Sequence, residues 1–87
     1  MRRSNQVSLE LDMVIDETDF PIISNAWEMY YGVKSEVVTW SGPGGGCPIV
    51  RFTGEESDVW EMVYLEFTNE HEDDTDFLMS GAEDVAD

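Results

Sequence analysis

Residues 35–67 read SEVVTWSGPGGGCPIVRFTGEESDVWEMVYLEF, and the order of local signals along this stretch sets the fold class. Residues 35–41 and 48–53 are rich in β-branched and aromatic side chains, as strands are. Between them Gly42-Pro43-Gly44-Gly45-Gly46 interrupts any regular element and gives a hairpin connection longer than the tightest two-residue type. Thr53-Gly54-Glu55-Glu56 then matches the Thr-x-x-Glu capping box, in which hydroxyl and carboxylate each serve a backbone N–H that lacks an intrahelical partner. In the helix so opened, Val59, Trp60, Val63, Tyr64 and Phe67 cluster on one side. Glu55, Asp58, Glu61 and Glu66 fall on the other, with Met62 and Leu65 among them. Period-two alternation over 59–67 is the competing pattern, and the capping box favours the helix.

Upstream, Val7, Leu9, Leu11, Met13 and Ile15 alternate with Ser8, Glu10 and Asp12, the pattern of a half-buried strand with an acidic outer face. After Asp16-Glu17-Thr18-Asp19, either Thr18 or Asp19 caps a helix that tolerates Pro21 in its first turn. Phe20, Ile23, Trp27 and Tyr30 follow at helical spacing, and Gly32 supplies the stop. Downstream, the chain turns to charge from Asn69, with one apolar island, Phe77-Leu78-Met79, as a candidate short last strand. The expected fold is therefore α+β: a single two-layer, ferredoxin-like βαββα domain with a possible final strand. Residues 1–68 form its core and 69–87 an acidic C-terminal tail. The expected core includes Leu9, Leu11, Met13, Ile23, Trp27, Val50, Phe52, Val63 and Phe67.

Charge bounds the function. The chain of 87 residues holds twenty acidic residues against four basic ones, a formal net charge of −16. Arg2 and Arg3 stand at the N-terminus, which leaves Lys34 and Arg51 as the cations of the remainder. Such a balance excludes direct binding to nucleic acid or an anionic membrane surface, because phosphate binding runs on Lys and Arg. Disordered acidic chains are poor in aromatic and branched residues, whereas this one is 41% hydrophobic and 11% aromatic, enough for one small core. The single Cys47 precludes an internal disulfide and fits a reducing compartment. MRRSNQ leads into no long apolar run, so neither a secretory signal nor a membrane span is expected and the chain reads as cytoplasmic.

No complete chemical constellation is present. A phosphate-binding glycine loop needs a Lys followed by Ser or Thr and a helix opening out of it, whereas Cys47-Pro48 opens a strand. Cys47 and His71 are too few for zinc, and nothing in the sequence brings them together as a nucleophilic pair. Glu72, Asp74, Asp76, Ser80 and Glu83 occupy liganding positions of a twelve-residue calcium loop, but its turn glycine is replaced by Phe77. The expectation is a protein with no catalytic residues, no metal and no cofactor.

Most of the acids fall in three groups: Glu10, Asp12, Asp16, Glu17 and Asp19; Glu55, Glu56, Asp58, Glu61 and Glu66; and Glu70, Glu72, Asp73, Asp74, Asp76, Glu83, Asp84 and Asp87. Carboxylates two apart on a strand lie about 6–7 Å from each other, and three or four apart on a helix about 5–6 Å, comparable with phosphates along a nucleic-acid backbone. In size, charge, strand–helix mix and segments such as DETD (16–19) and EHEDDTD (70–76), the chain resembles small acidic inhibitors encoded by bacteriophages. These include DNA-mimic anti-restriction proteins, uracil-DNA glycosylase inhibitors and anti-CRISPR proteins. The resemblance implies a protein that occupies the basic nucleic-acid channel of host CRISPR or restriction machinery. The partner-facing residues expected are Glu10, Asp12, Glu55, Asp58, Glu61, Glu66, Asp73, Asp74 and Asp76, with Met62 and Leu65 as an exposed apolar pair. Two alternatives stay open: a halophilic domain kept soluble by its acidity, and an adaptor that docks through its acidic tail and the 77–79 island.

Overall fold

Among residues 6–40 and 46–85, which the computed structural model describes, the chain runs β1 (Gln6–Asp12), α1 (Phe20–Tyr31), β2 (Lys34–Thr39), β3 (Ile49–Glu55), α2 (Glu56–Glu66), α3 (Glu72–Met79) and β4 (Glu83–Asp84). The strands form a four-stranded antiparallel sheet in the order β2-β3-β1-β4, giving a mixed α/β domain with three helices. Residues 42–45 of the glycine-rich connection lie outside the described residues, as do Arg2, Arg3 and Asp87. No helix among the described residues is long and apolar enough to cross a membrane.

Alternation in β1 sends Val7 and Leu9 into the core and leaves Glu10 and Asp12 exposed. The register sets Leu9 opposite Phe52 and Leu11 opposite Val50, so the inward residues of the two central strands meet. Val59, Met62 and Val63 of α2 close over them, and Val33 completes the buried cluster. From α1, Trp27 packs against Phe52 and Phe67 with ring centroids 5.6 and 5.8 Å apart. The rings are tilted rather than face to face, as their quadrupoles favour. Of the expected core, Leu9, Val50, Phe52 and Val63 are buried, Leu11, Met13, Trp27 and Phe67 pack partly buried against them, and Ile23 is half-buried.

The capping box does not form. β3 runs on through Thr53 and Gly54 to Glu55, pairing them with Ser8, Val7 and Gln6, and α2 begins at Glu56 without a side-chain cap. Ladder hydrogen bonds to β1 outcompete a cap that contributes about 1 kcal/mol. Gly54 suits this strand because a Cβ there would lie 3.5 Å from the Val33 Cα and 3.4 Å from the Gly32 carbonyl oxygen. At the end of α1, Gly32 takes the expected left-handed conformation, with φ +75° and its N–H bonded to the Glu28 carbonyl.

Two side chains on α1 trade places with expectation. Tyr30 is 80% exposed, while Tyr31 packs against the core and donates its hydroxyl to Glu66 Oε2 at 2.7 Å. The 77–79 island is not a strand either: it ends α3, and the short last strand is Glu83–Asp84, paired with Ser8 and Val7. Thr75, Leu78 and Met79 give α3 an inward face at spacings i, i+3 and i+4. Glu72, Asp73 and Asp74 occupy its first turn, where the helix dipole favours carboxylates.

Candidate partner-binding surface

Both cations of the described residues lie on the face of the sheet that the helices leave open. The register aligns Glu10, Arg51 and Glu36 across three neighbouring strands, with Lys34 beside Thr53 in the next row. Arg51 donates from Nε and Nη2 to Glu10 Oε2 at 3.1 and 2.9 Å and from Nη1 to Glu36 Oε1 at 3.2 Å. The hydrogen bond to Glu10 is the main cause that pushes Arg51 above its already high range. Glu10, expected to face a partner, is thus engaged within the molecule. Asp12 is exposed at the strand end. Glu55 is half-buried at the β3–α2 junction rather than on the outer side of the helix.

The helical side carries the remaining candidates. Glu61 and Glu66 on α2 and Asp73, Asp74 and Asp76 on α3 are exposed, and no Lys or Arg occurs on α1, α2 or α3. Tyr31, bonded to Glu66, has its hydroxyl pKa pushed up to about 12, first by burial and then by the hydrogen bond and charge of Glu66 and the charge of Glu61. Asp58 is half-buried, its Oδ2 only 3.6 Å from where a Cβ on Gly32 would stand. The expected apolar pair separates: Met62 is fully buried beneath α2, while Leu65 is 41% exposed.

α3 is tied to α2 by a threonine pair that the sequence did not single out and by Asp76, which was expected to face a partner. The Thr68 and Thr75 hydroxyls share a buried hydrogen bond of 2.6 Å, and Thr75 Oγ1 also donates to the His71 carbonyl at 2.8 Å. Trp60 Nε1 donates to Asp76 Oδ1 at 2.8 Å, and Tyr64 stacks on the Trp60 ring with centroids 4.8 Å apart. A cleft of about 540 Å³ lies beside Trp60, bounded by Glu56 and Ser57 of α2 and by Asp76, Met79 and Ser80. The spacing of Trp60 and Tyr64 was visible in the sequence, but it placed them only on the side of α2 shared with Val59, Val63 and Phe67.

A second surface was also missed. Ile22 and Met29 of α1 are 68% and 76% exposed and share a face with Tyr30. Their spacing of i, i+7 and i+8 was the available signal, since residues 20–31 are apolar on more than one side and include only Glu28 as a charge.

Helix α3 covers most of the segment read as a possible calcium loop, and among the described residues no three His, Cys, Asp or Glu side chains group to hold a metal. His71 precedes that helix with Nδ1 2.7 Å from the Thr68 carbonyl oxygen, and Cys47 is exposed ahead of β3. Comparison with known proteins finds no matching family model, no matching curated protein and no matching solved structure.

Proposed function

We propose that the chain is an acidic inhibitor that occupies the basic nucleic-acid site of a host-defence protein, of the CRISPR or restriction kind, and keeps DNA or RNA out. It acts by occupancy, without catalysis or a cofactor. The observation that carries this reading is the segregation of charge. Among the described residues, the helical layer presents carboxylates with no Lys or Arg among them, while Arg51 is neutralised by Glu10 and Glu36 on the opposite face. A cation on the partner that is satisfied by one of these carboxylates is unavailable to phosphate. Ile22, Met29 and Tyr30 on α1 supply apolar area that charge lacks, because rim charges chiefly set on-rate and specificity.

The finer fold reading belongs here too: a ferredoxin-like βαββαβ plait with α3 added between the second helix and the last strand. It is supported by the sheet order β2-β3-β1-β4, in which α1 links β1 to β2 across β3.

Charge reversal on each face tests the function against a basic partner captured from bacterial lysate. Glu61→Lys combined with Asp73→Lys should weaken binding about tenfold or more, and Asp12→Lys on the sheet less than about twofold. Equal losses from the two faces would contradict the assignment to the helical side.

A further inference from the structure

We propose that the cleft between the start of α2 and the end of α3 binds a guanidinium group, presented as an arginine side chain by a basic partner protein. The source of the arginine rests on the function proposed above; the chemistry of the cleft does not. Three features match a planar cation. The first is the indole of Trp60, the aromatic side chain that attracts cations most strongly. Its ring is held by the Tyr64 stack and by the hydrogen bond to Asp76, so the platform is set before any ligand arrives. Tyr64 stacks on the indole and is not part of the cleft wall, whereas Trp60 lines it.

The second feature is the carboxylate of Asp76. The indole N–H uses one of the roughly four lone-pair sites a carboxylate offers, which leaves acceptors for a guanidinium N–H. Glu56 adds a second negative charge in the facing wall. The third is the end of α3 at Met79, where the negative pole of the helix dipole meets the cleft with no basic residue in its last turn. Met79 and Trp60 give the open cleft an apolar part against which the stem of an arginine can lie. An ammonium group would meet the charge but not the plate, since it neither stacks flat on an indole nor forms paired hydrogen bonds with a carboxylate.

The test titrates the full chain with the blocked tripeptide Gly-Arg-Gly, and in parallel with Gly-Lys-Gly, at constant ionic strength, following the Trp60 indole N–H signal by NMR. The Arg peptide should give a saturable shift and bind more tightly than the Lys peptide. Asp76→Asn keeps an oxygen acceptor for the indole and removes the charge; it should weaken binding about tenfold. Asp73→Asn makes the same charge change on α3 outside the cleft wall and should alter binding less than about twofold. Glu56→Gln, on α2, should also lower affinity, and an unchanged Trp60 indole N–H signal in the peptide-free variant would separate the ligand effect from any loosening of α3. Equal losses from Asp73→Asn and Asp76→Asn would reduce the effect to the general acidic field and overturn the proposal. Equal affinity for the two tripeptides would do the same. Tripeptide binding without displacement of nucleic acid from a basic partner would refute the inhibitor reading and leave the cleft standing. Displacement without tripeptide binding would do the reverse.

Discussion

Phe52, on the central strand β3, is fully buried and forms a three-ring cluster with Trp27 and Phe67, each pair of centroids 5.6 or 5.8 Å apart. Phe52→Ala should cost about 3–5 kcal/mol, a large share of the roughly 5–15 kcal/mol that holds a domain folded. Urea denaturation followed by Trp fluorescence would measure it, and a loss below about 1 kcal/mol would contradict the core described. Tyr31 gives a second residue-level test. Its hydroxyl is raised from 10.0 to about 12 in the fold, so the folded state favours the neutral phenol more than the unfolded chain does. That contribution is complete below pH 10 and is lost as pH rises toward 12. The urea midpoint should therefore fall across this window more steeply in the parent chain than in Tyr31→Phe. Parallel curves would show that the bond to Glu66 carries no stability.

At the scale of elements, α3 is anchored by the buried Thr68–Thr75 hydrogen bond together with Leu78 and Met79, while Phe77 is 76% exposed. Thr75→Val keeps the shape and removes the hydroxyl, and should destabilise α3 by about 1–3 kcal/mol. Hydrogen exchange should register this as faster exchange of the 72–80 amides, ahead of any change in β1 or β3. Gly32→Ala, at φ +75°, should cost about 1 kcal/mol through backbone strain, since the space around it is open enough for a methyl group. Such local devices were the legible part of the sequence: the alternation of β1, the β2 and β3 strands, Pro21 in the first turn of α1 and Gly32 at its end. The capping box misled because Thr53 and Gly54 have a stronger claim from β1, which is distant in sequence. Tyr30 and Tyr31 lie at i+3 and i+4 from Trp27, and a helical stripe alone does not choose between them. α3 was hidden because charge dominates residues 70–76 and its inward face is a threonine followed by only two apolar residues. Which acids share a face was beyond local reading altogether, since it depends on the order β2-β3-β1-β4 and on where the helices lie.

For the whole molecule, a net charge of −16 means self-repulsion that salt relieves. The domain should be folded in ordinary dilute buffer and its melting temperature should rise modestly with salt; a chain that unfolds at low ionic strength and recovers only in molar salt would point to a halophilic domain instead. The segregation of charge gives the sharper consequence, because helices that hold no Lys or Arg compete with phosphate only where the partner's own Lys and Arg line a nucleic-acid site. The most direct measurement is displacement: fluorescently labelled DNA or RNA is bound to the partner captured with this chain, and the unlabelled chain is titrated in while anisotropy is followed. Mutually exclusive binding predicts complete release of the nucleic acid, at chain concentrations that rise with salt. A ternary complex, formed with no loss of affinity for either ligand, would contradict the account.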